Sequence, residues 1–331
     1  MPPNLGLQPT AAGAIMTPPR LKPHVGRTGT HLCSRLNAMR SATWFTIAGL
    51  LTSVSVAGQN TQNPPFVLPD SVRMLSDLTY AAPGAEPLTL DLFLPRQGNG
   101  SVPGIVFVSC GGWITGSKSQ FWRQSVYLAT HGFVSAATQC RLAPAARFPD
   151  QLNDAIAAVR WLRDHAKERG VDPTRIAIAG ASSGGYLAAL VGSNLWNGSD
   201  WSGAPPNARV QAAVVFNGVL DVSGFDTLPT VRTNLTNFLG AARDENPTLW
   251  LFASPLTHVS PDAAPVLLLH GTNDTTVPYS QSAAMQRRLQ GAGVKAELFT
   301  AEGAGHGFFN QPPWYEPSIA AAAEFLRTVF R

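Results

Sequence analysis

The sequence predicts an α/β fold with a mostly parallel central sheet, helices on both faces and a small cap insertion. Three observations predict it. Short β-branched and apolar runs alternate with longer runs of helical period, the pattern of repeated strand–helix–strand units. The segment Ile176–Leu190 joins such an apolar run to a helix-forming run through Gly180-Ala-Ser-Ser-Gly184, a strand–turn–helix junction with glycine two places before and two places after Ser182. The 331 residues are 44% hydrophobic and only 13% charged, which suits one such domain with a large core.

The elements follow in order. Gln59–Asp70 is a Pro/Asn-rich lead-in. Val72–Tyr80 and Leu88–Leu94 read as an antiparallel pair, the second alternating Leu90, Leu92 and Leu94. Gly104–Ser109 is a strand, Ser119–Thr130 a helix and Phe133–Gln139 the next strand. Gln151–Lys167 places Leu152, Ile156, Val159 and Leu162 on one helical face. Ile176–Ala179 is the strand before the tight turn, and Val210–Phe216, Val266–His270 and Ala296–Thr300 supply three more. Pro317–Phe330 closes as a helix. The irregular span 221–260, with a short helix expected over Val231–Leu239, carries Phe225, Phe238, Trp250 and Phe252. It is either a small cap shaping a pocket or an insertion packing its aromatics on the core.

The chemistry begins at the turn. Ser182 would stand at its tip, with free N–H groups and the positive dipole end of the following helix behind it. A nucleophilic serine needs a base, and the base needs a carboxylate to orient it. Of the seven His, only His306 lies in a Gly-rich loop after a strand, within Gly303-Ala-Gly-His-Gly-Phe-Phe309. His270 precedes a turn glycine and is expected to steady the acid loop. Asp274 follows the strand ending at His270-Gly271, one strand before His306; Asp221, also after an apolar strand, is its rival. Serine, acid and base would all emerge from carboxyl ends of parallel strands, where chemistry collects in an open α/β sheet.

These segments resemble an α/β-hydrolase of the esterase/lipase type, and most of all the bacterial group named for bifunctional feruloyl and acetyl-xylan esterases, near the hormone-sensitive-lipase-like carboxylesterases. The matching stretches run in one order from about residue 70 to the C-terminus. They are Gly111-Gly112-Trp113 with Gly116 and Lys118, Arg141-Leu-Ala-Pro144 with Phe148-Pro149, Asp154 with Ala158–Arg163, and Gly170–Ile176. The serine turn, Ala253–Leu256, His258–Pro261 and the Asp and His loops complete the set. The resemblance implies a Ser182–His306–Asp274 triad, with the N–H groups of Gly111, Gly112 and Ser183 as the oxyanion hole. It implies a serine carboxylic-ester hydrolase working through an acyl-enzyme, with acetyl or feruloyl esters of plant polysaccharides as the leading substrates. A peptidase, lactonase or arylformamidase on the same triad, or a catalytically silent binding protein on the same fold, are the competing readings. Trp113 and Phe308 flank the catalytic loops and are expected either at the substrate pocket or as loop packing.

Two departures stand out. The family has His-Gly-Gly-Gly-Trp where this chain has Ser109-Cys110-Gly111-Gly112-Trp113, and Tyr before Arg-Leu-Ala-Pro where this chain has Cys140. In the order of strands the resemblance implies, the strands before Cys110 and Cys140 are neighbours about 4.8 Å apart. Cys110 and Cys140 are therefore expected either as a disulfide pinning the oxyanion loop or as two buried thiols.

The formal net charge of +4 does not signal a nucleic-acid partner. Residues 1–58 hold Arg20, Lys22, Arg27, Arg35 and Arg40 and no acid, so the remaining chain has 19 basic and 20 acidic residues. Met39-Arg40-Ser41, the apolar run Ala42–Val56 and Val56-Ala57-Gly58 read as a signal peptide over about 39–58, with Met39 as the expected start. A secreted or periplasmic protein is expected, with no stable membrane insertion after processing. Cys33, the third cysteine, would fall outside the mature chain. No metal is expected, because there is no His-Glu-x-x-His and no Cys/His cluster. No cofactor is expected either: Gly180–Gly185 lacks G-x-G-x-x-G spacing. The partner is a small-molecule or polysaccharide-linked ester.

Overall fold

The computed structural model of the chain describes residues 66–96, 100–194, 206–225 and 228–331, all of which lie in the unit Gln62–Arg331. The expected leader, with its signal peptide, start site and Cys33, lies outside the described residues, as does the lead-in before Phe66.

Eight strands form one mixed sheet: β1 Val72–Ala81, β2 Leu88–Pro95, β3 Val102–Ser109, β4 Val134–Gln139, β5 Val171–Ala181, β6 Ala212–Phe216, β7 Val266–Gly271 and β8 Ala296–Ala301. Their order is β1-β2-β4-β3-β5-β6-β7-β8. β1 pairs antiparallel with β2, and β2 antiparallel with β4; every pairing from β4 to β8 is parallel. The helices are α1 Trp122–Thr130, α2 Asp150–Asp164, α3 Ala166–Arg169, α4 Ser183–Gly192, α5 Pro229–Leu239, α6 Pro247–Phe252, α7 Ser280–Gly291 and α8 Tyr315–Val329.

Period-two alternation makes the central strands serve two cores. Val106, Val108, Ile176, Ile178, Val215 and Leu268 face the layer of α2, α4 and α7. Their neighbours Ile105, Phe107, Ala177, Ala179, Val214 and Leu269 face the other layer, which holds Leu128 of α1 and Ile319, Phe325 and Leu326 of α8. Buried on both sides, these strands read as near-continuous apolar runs, as parallel sheets require. α4 runs behind the sheet centre, and all ten of its residues are buried.

The strand order also fixes where chemistry can occur. From β3 the chain steps outward to β4, then returns past β3 to β5 and proceeds the other way. The carboxyl ends of β3 and β5 therefore diverge, leaving a crevice at the switch point. Residues 109–112 follow β3, and Ser182 follows β5.

Several boundaries differ from expectation. The first helix opens as a 3-10 turn, Lys118–Phe121, before α1. The expected Gln151–Lys167 helix is broken at His165, whose Nδ1 lies 2.8 Å from the carbonyl of Trp161. β5 starts five residues earlier than Ile176, at Val171. α7 was not expected: it buries only Ser282, Met285 and Leu289, too narrow an apolar stripe to mark a helix by period. In the 221–260 span, Phe225, Phe238 and Trp250 are all in the core.

Candidate active site

Ser182 sits between β5 and α4 with φ 54° and ψ −120°, a backbone conformation that a side-chain-bearing residue rarely adopts. The turn is possible because of its glycines. A Cβ on Gly180 would run into the carbonyl oxygen of Gly184, and a Cβ on Gly184 into the carbonyl oxygen of Val108 on β3. The turn is tied to β6, with the Ser182 N–H donating to the Phe216 carbonyl at 3.0 Å.

The acid and the base arrive from β7 and β8. The loops after these strands are joined by the Thr272 N–H to Ala301 O and the Asn273 N–H to Ala304 O. Asp274 Oδ2 lies 2.7 Å from His306 Nδ1 and 3.2 Å from His270 Nε2. Its Oδ1 accepts the N–H groups of Thr276 and Val277 at 2.8 and 2.9 Å. Burial pushes this carboxyl up, but hydrogen bonds from His270, His306 and the Val277 N–H outweigh it and hold Asp274 well below the usual carboxylate range. A carboxylate only accepts, so the shared proton sits on His306 Nδ1, leaving Nε2 as the free basic nitrogen.

His270 is fully buried; its Nδ1 meets Ser282 Oγ at 2.7 Å, and its Nε2, which faces Asp274, also lies 2.9 Å from the Val277 carbonyl. It braces the acid loop, the part expected of it. Asp221, the rival acid, spends Oδ1 on Ser223 N, Ser223 Oγ, Gly224 N and Ser254 Oγ. It caps its own turn and pairs with no histidine among the described residues.

The oxyanion loop requires a correction. Three N–H donors were expected, from Gly111, Gly112 and Ser183. The Gly111 N–H instead donates to the Thr115 carbonyl at 2.6 Å, closing a tight turn, and one N–H cannot also point at a substrate oxygen. The N–H groups of Gly112 and Ser183 make no backbone hydrogen bond among the described residues and remain as the candidate pair. The loop is gripped from three directions. Cys110 is joined to Cys140 by a disulfide with Cα atoms 6.3 Å apart. The Ser183 hydroxyl donates to the Cys110 carbonyl and accepts the Trp113 N–H at 3.3 Å. Gln151 Nε2 donates to the Trp113 carbonyl at 2.9 Å.

Of the two readings of Trp113 and Phe308, the contacts among the described residues are those of packing. Trp113, at φ 63°, turns its ring inward, stacked on Phe238 and edge-on to Tyr186. Phe308 is buried against Phe309 in the other core layer. Both rings are buried. Nearer the loop stands Asn234 of α5: a Cβ on Gly112 would lie 2.9 Å from its Nδ2.

Residues 90–289 of the chain match the BD-FAE family. The chain belongs to that family. Among curated relatives of this BD-FAE protein, the probable carboxylic ester hydrolase LipM of Mycobacterium tuberculosis is 35% identical over 188 residues, covering 55% of this chain and 44% of LipM. Esterase LipC of the same organism is 31% identical over 246 residues, covering 69% of this chain and 59% of LipC. The chain thus spans about half the length of the curated relatives it matches. Among solved structures, the apo form of Thermogutta terrifontis esterase 2 has a TM-score of 0.67 at 31% identity, covering 80% of this chain and 97% of that one. The fold is that of the α/β-hydrolase esterases.

Sequence reasoning missed three contributors to this BD-FAE site: Thr115 and Gln151, which shape the oxyanion loop, and Asn217, which touches His306. Thr115 acts through its backbone carbonyl, and Gln151 and Asn217 through amides that reach partners far away in sequence; no motif spacing signals such contacts. No group of three or more His, Cys, Asp or Glu that could hold a metal occurs among the described residues.

Proposed function

We propose that the chain is a serine carboxylesterase in which Ser182 is the nucleophile, His306 the base and Asp274 the orienting acid. The observation that carries this reading is the 2.7 Å Asp274–His306 contact on loops beside a serine held at φ 54° in a strand–helix turn. Ser182 Oγ attacks the ester carbonyl as His306 Nε2 takes its proton. The N–H groups of Gly112 and Ser183 receive the developing oxyanion at the α4 N-terminus. His306 then protonates the leaving alcohol, and a water activated by the same nitrogen releases the acid from the acyl-enzyme. Asp274 stays ionised throughout and stabilises the imidazolium.

The substrates in this reading are esters of small acids, with acetyl or feruloyl esters of plant polysaccharides as the natural class. The BD-FAE match favours them, and Thermogutta terrifontis esterase 2 is known with butyrate and with propionate bound. The span 221–260 serves as a cap over the oxyanion loop, a placement favoured by Asn234 lying against Gly112. Export to the periplasm or medium rests on the sequence of residues 39–58; N-terminal sequencing of naturally exported protein checks Met39 as the start, and an N-terminus well upstream of Met39 would refute that start.

The deciding experiment is hydrolysis of p-nitrophenyl acetate, butyrate and octanoate, methyl ferulate and acetylated xylan by the protein and by Ser182→Ala. A loss of about 10⁴-fold or more in kcat is expected in the variant. Near-parental activity in Ser182→Ala would rule the mechanism out. Acetylated xylan left untouched while p-nitrophenyl esters turn over would rule out acetyl-xylan as the substrate.

A further inference from the structure

His306 stands between two glycines, Gly305 and Gly307. Ala304 and Phe308 anchor the loop in the core on either side, but a Cβ at Gly303, Gly305 or Gly307 would meet nothing within 4 Å, so the glycines next to the base add no side-chain packing of their own. The His306 side chain is itself 28% exposed. Asp274 steadies the ring through Nδ1, but one hydrogen bond to a ring nitrogen leaves the ring free to pivot about that contact.

The second tether comes from the end of β6. Asn217 follows Phe216, the residue whose carbonyl accepts the Ser182 N–H, and its own N–H donates to the Leu269 carbonyl on β7 at 2.7 Å. Its side chain is completely buried. Asn217 Nδ2 donates to the His306 carbonyl at 2.7 Å. The same nitrogen lies 2.7 Å from His306 Nδ1, beside the Asp274 carboxylate, and so limits the swing of the ring toward β6. The amide orientation follows from chemistry: the carbonyl can only accept, so the nitrogen must face it. This leaves Asn217 Oδ1 buried with no hydrogen-bond partner among the described residues. Asn217 also has φ 36°, in the left-handed region. Two local costs, an unpaired buried oxygen and a left-handed non-glycine backbone, coincide at one residue, and such costs concentrate where a site is being held in place.

We infer that Asn217 is the positioning residue for the catalytic base, coupling the end of β6, to which the serine turn is tied, to the loop that carries His306. It touches neither the ester nor the oxyanion, and it acts only through His306. The inference rests on the reading of His306 as the base.

The test uses the full protein. Asn217→Gly removes the amide and tolerates the positive φ; Asn217→Asp keeps the shape but replaces the donor with an oxygen that cannot bond the His306 carbonyl. Kinetics on p-nitrophenyl butyrate are measured for each, alone and combined with His306→Ala, and folding is followed by thermal unfolding. A kcat loss of about a hundredfold is expected, the scale of a catalytic group misplaced by about 1 Å. KM is expected to stay within about threefold, because ground-state binding is untouched. In the His306→Ala background neither substitution should lower kcat further, since the group it positions is gone. If the glycine variant does not fold, the aspartate variant carries the same test. A folded variant with kcat within about twofold of the parent would overturn the inference. So would a loss of equal size in the His306→Ala background, which would mark a purely structural role. If Asn217 variants stay active while Ser182→Ala and His306→Ala do not, the inference alone fails. If His306→Ala stays active, the assignment of the base fails and the inference falls with it.

Discussion

At Asp274 two histidines meet one carboxylate oxygen, and the outcome is a carboxyl that resists protonation although it is buried. Because its folded-state affinity for a proton is below that of the unfolded chain, its stabilising contribution is fully present above the unfolded value, about 3.9, and is lost as pH falls through the folded value. Urea unfolding of the protein and of Asp274→Asn should therefore differ most near neutral pH and converge in acid; a gap that widens on acidification would contradict the assignment. The same variant should lose about 10³-fold or more in kcat, because an amide can stabilise the wrong His306 tautomer and cannot balance the imidazolium. Asp274 and His306 were readable from their loops because Gly, Asp and His in that order have few structural uses together. The choice between Asp274 and Asp221 was settled by partners: Asp221 satisfies itself within its own turn.

The segment after β3 shows how an element compensates for lost residues. Where the family carries His and Gly, this chain has Ser109 and Cys110, and the loop is held instead by the Cys110–Cys140 disulfide, the Ser183 hydroxyl and Gln151. The two cysteines are 30 residues apart in sequence, and closing a loop of that length constrains the unfolded chain by about 3–4 kcal/mol in the entropic account. The Cys110→Ser/Cys140→Ser double variant should lose stability of that order in urea. Its kcat should fall about tenfold, because the Gly112 N–H is no longer held where the oxyanion forms. Alkylation and mass spectrometry of the unreduced protein checks the premise; two modified thiols would sink it. The expectation of Gly111 as an oxyanion donor failed for a local reason: Thr115, four residues on, offers its carbonyl to that N–H, and a five-residue turn leaves no trace in motif spacing.

Across the whole molecule, the antiparallel pair β1–β2 is fastened to the parallel body by an ionic cluster centred on the buried Asp91, with Asp77 on its exposed side. Lys118 Nζ lies 2.7 Å from Asp91 Oδ1 and 2.5 Å from Asp77 Oδ1, while Trp122 Nε1 donates to Asp91 Oδ2. Burial disfavours the Lys118 charge, but the hydrogen bonds and charges of Asp77 and Asp91 outweigh it and raise its pKa. Asp91 is only 1% exposed. Lys118→Met would strand that carboxylate and should cost about 3 kcal/mol in urea unfolding, whereas Lys118→Met/Asp91→Leu should recover much of the loss. A double variant no more stable than the single one would show that the pair is not what holds β2.

The layered α/β architecture, the serine turn and the catalytic loops were legible in the chain, because side-chain period, glycine spacing and strand–helix alternation are local properties that each segment carries wherever it folds. Residues such as Ile176 and Ile178 announce a buried strand, and Gly180 and Gly184 announce a turn, with no reference to distant neighbours. The tertiary structure decided which donors remain free, which aromatics face the core and which remote amides brace the base. Trp113, Gln151 and Asn217 owe their parts to groups brought close only by the packing of elements far apart in sequence. A hydrogen bond depends on where two atoms stop in space, and neither partner's sequence records the other's position.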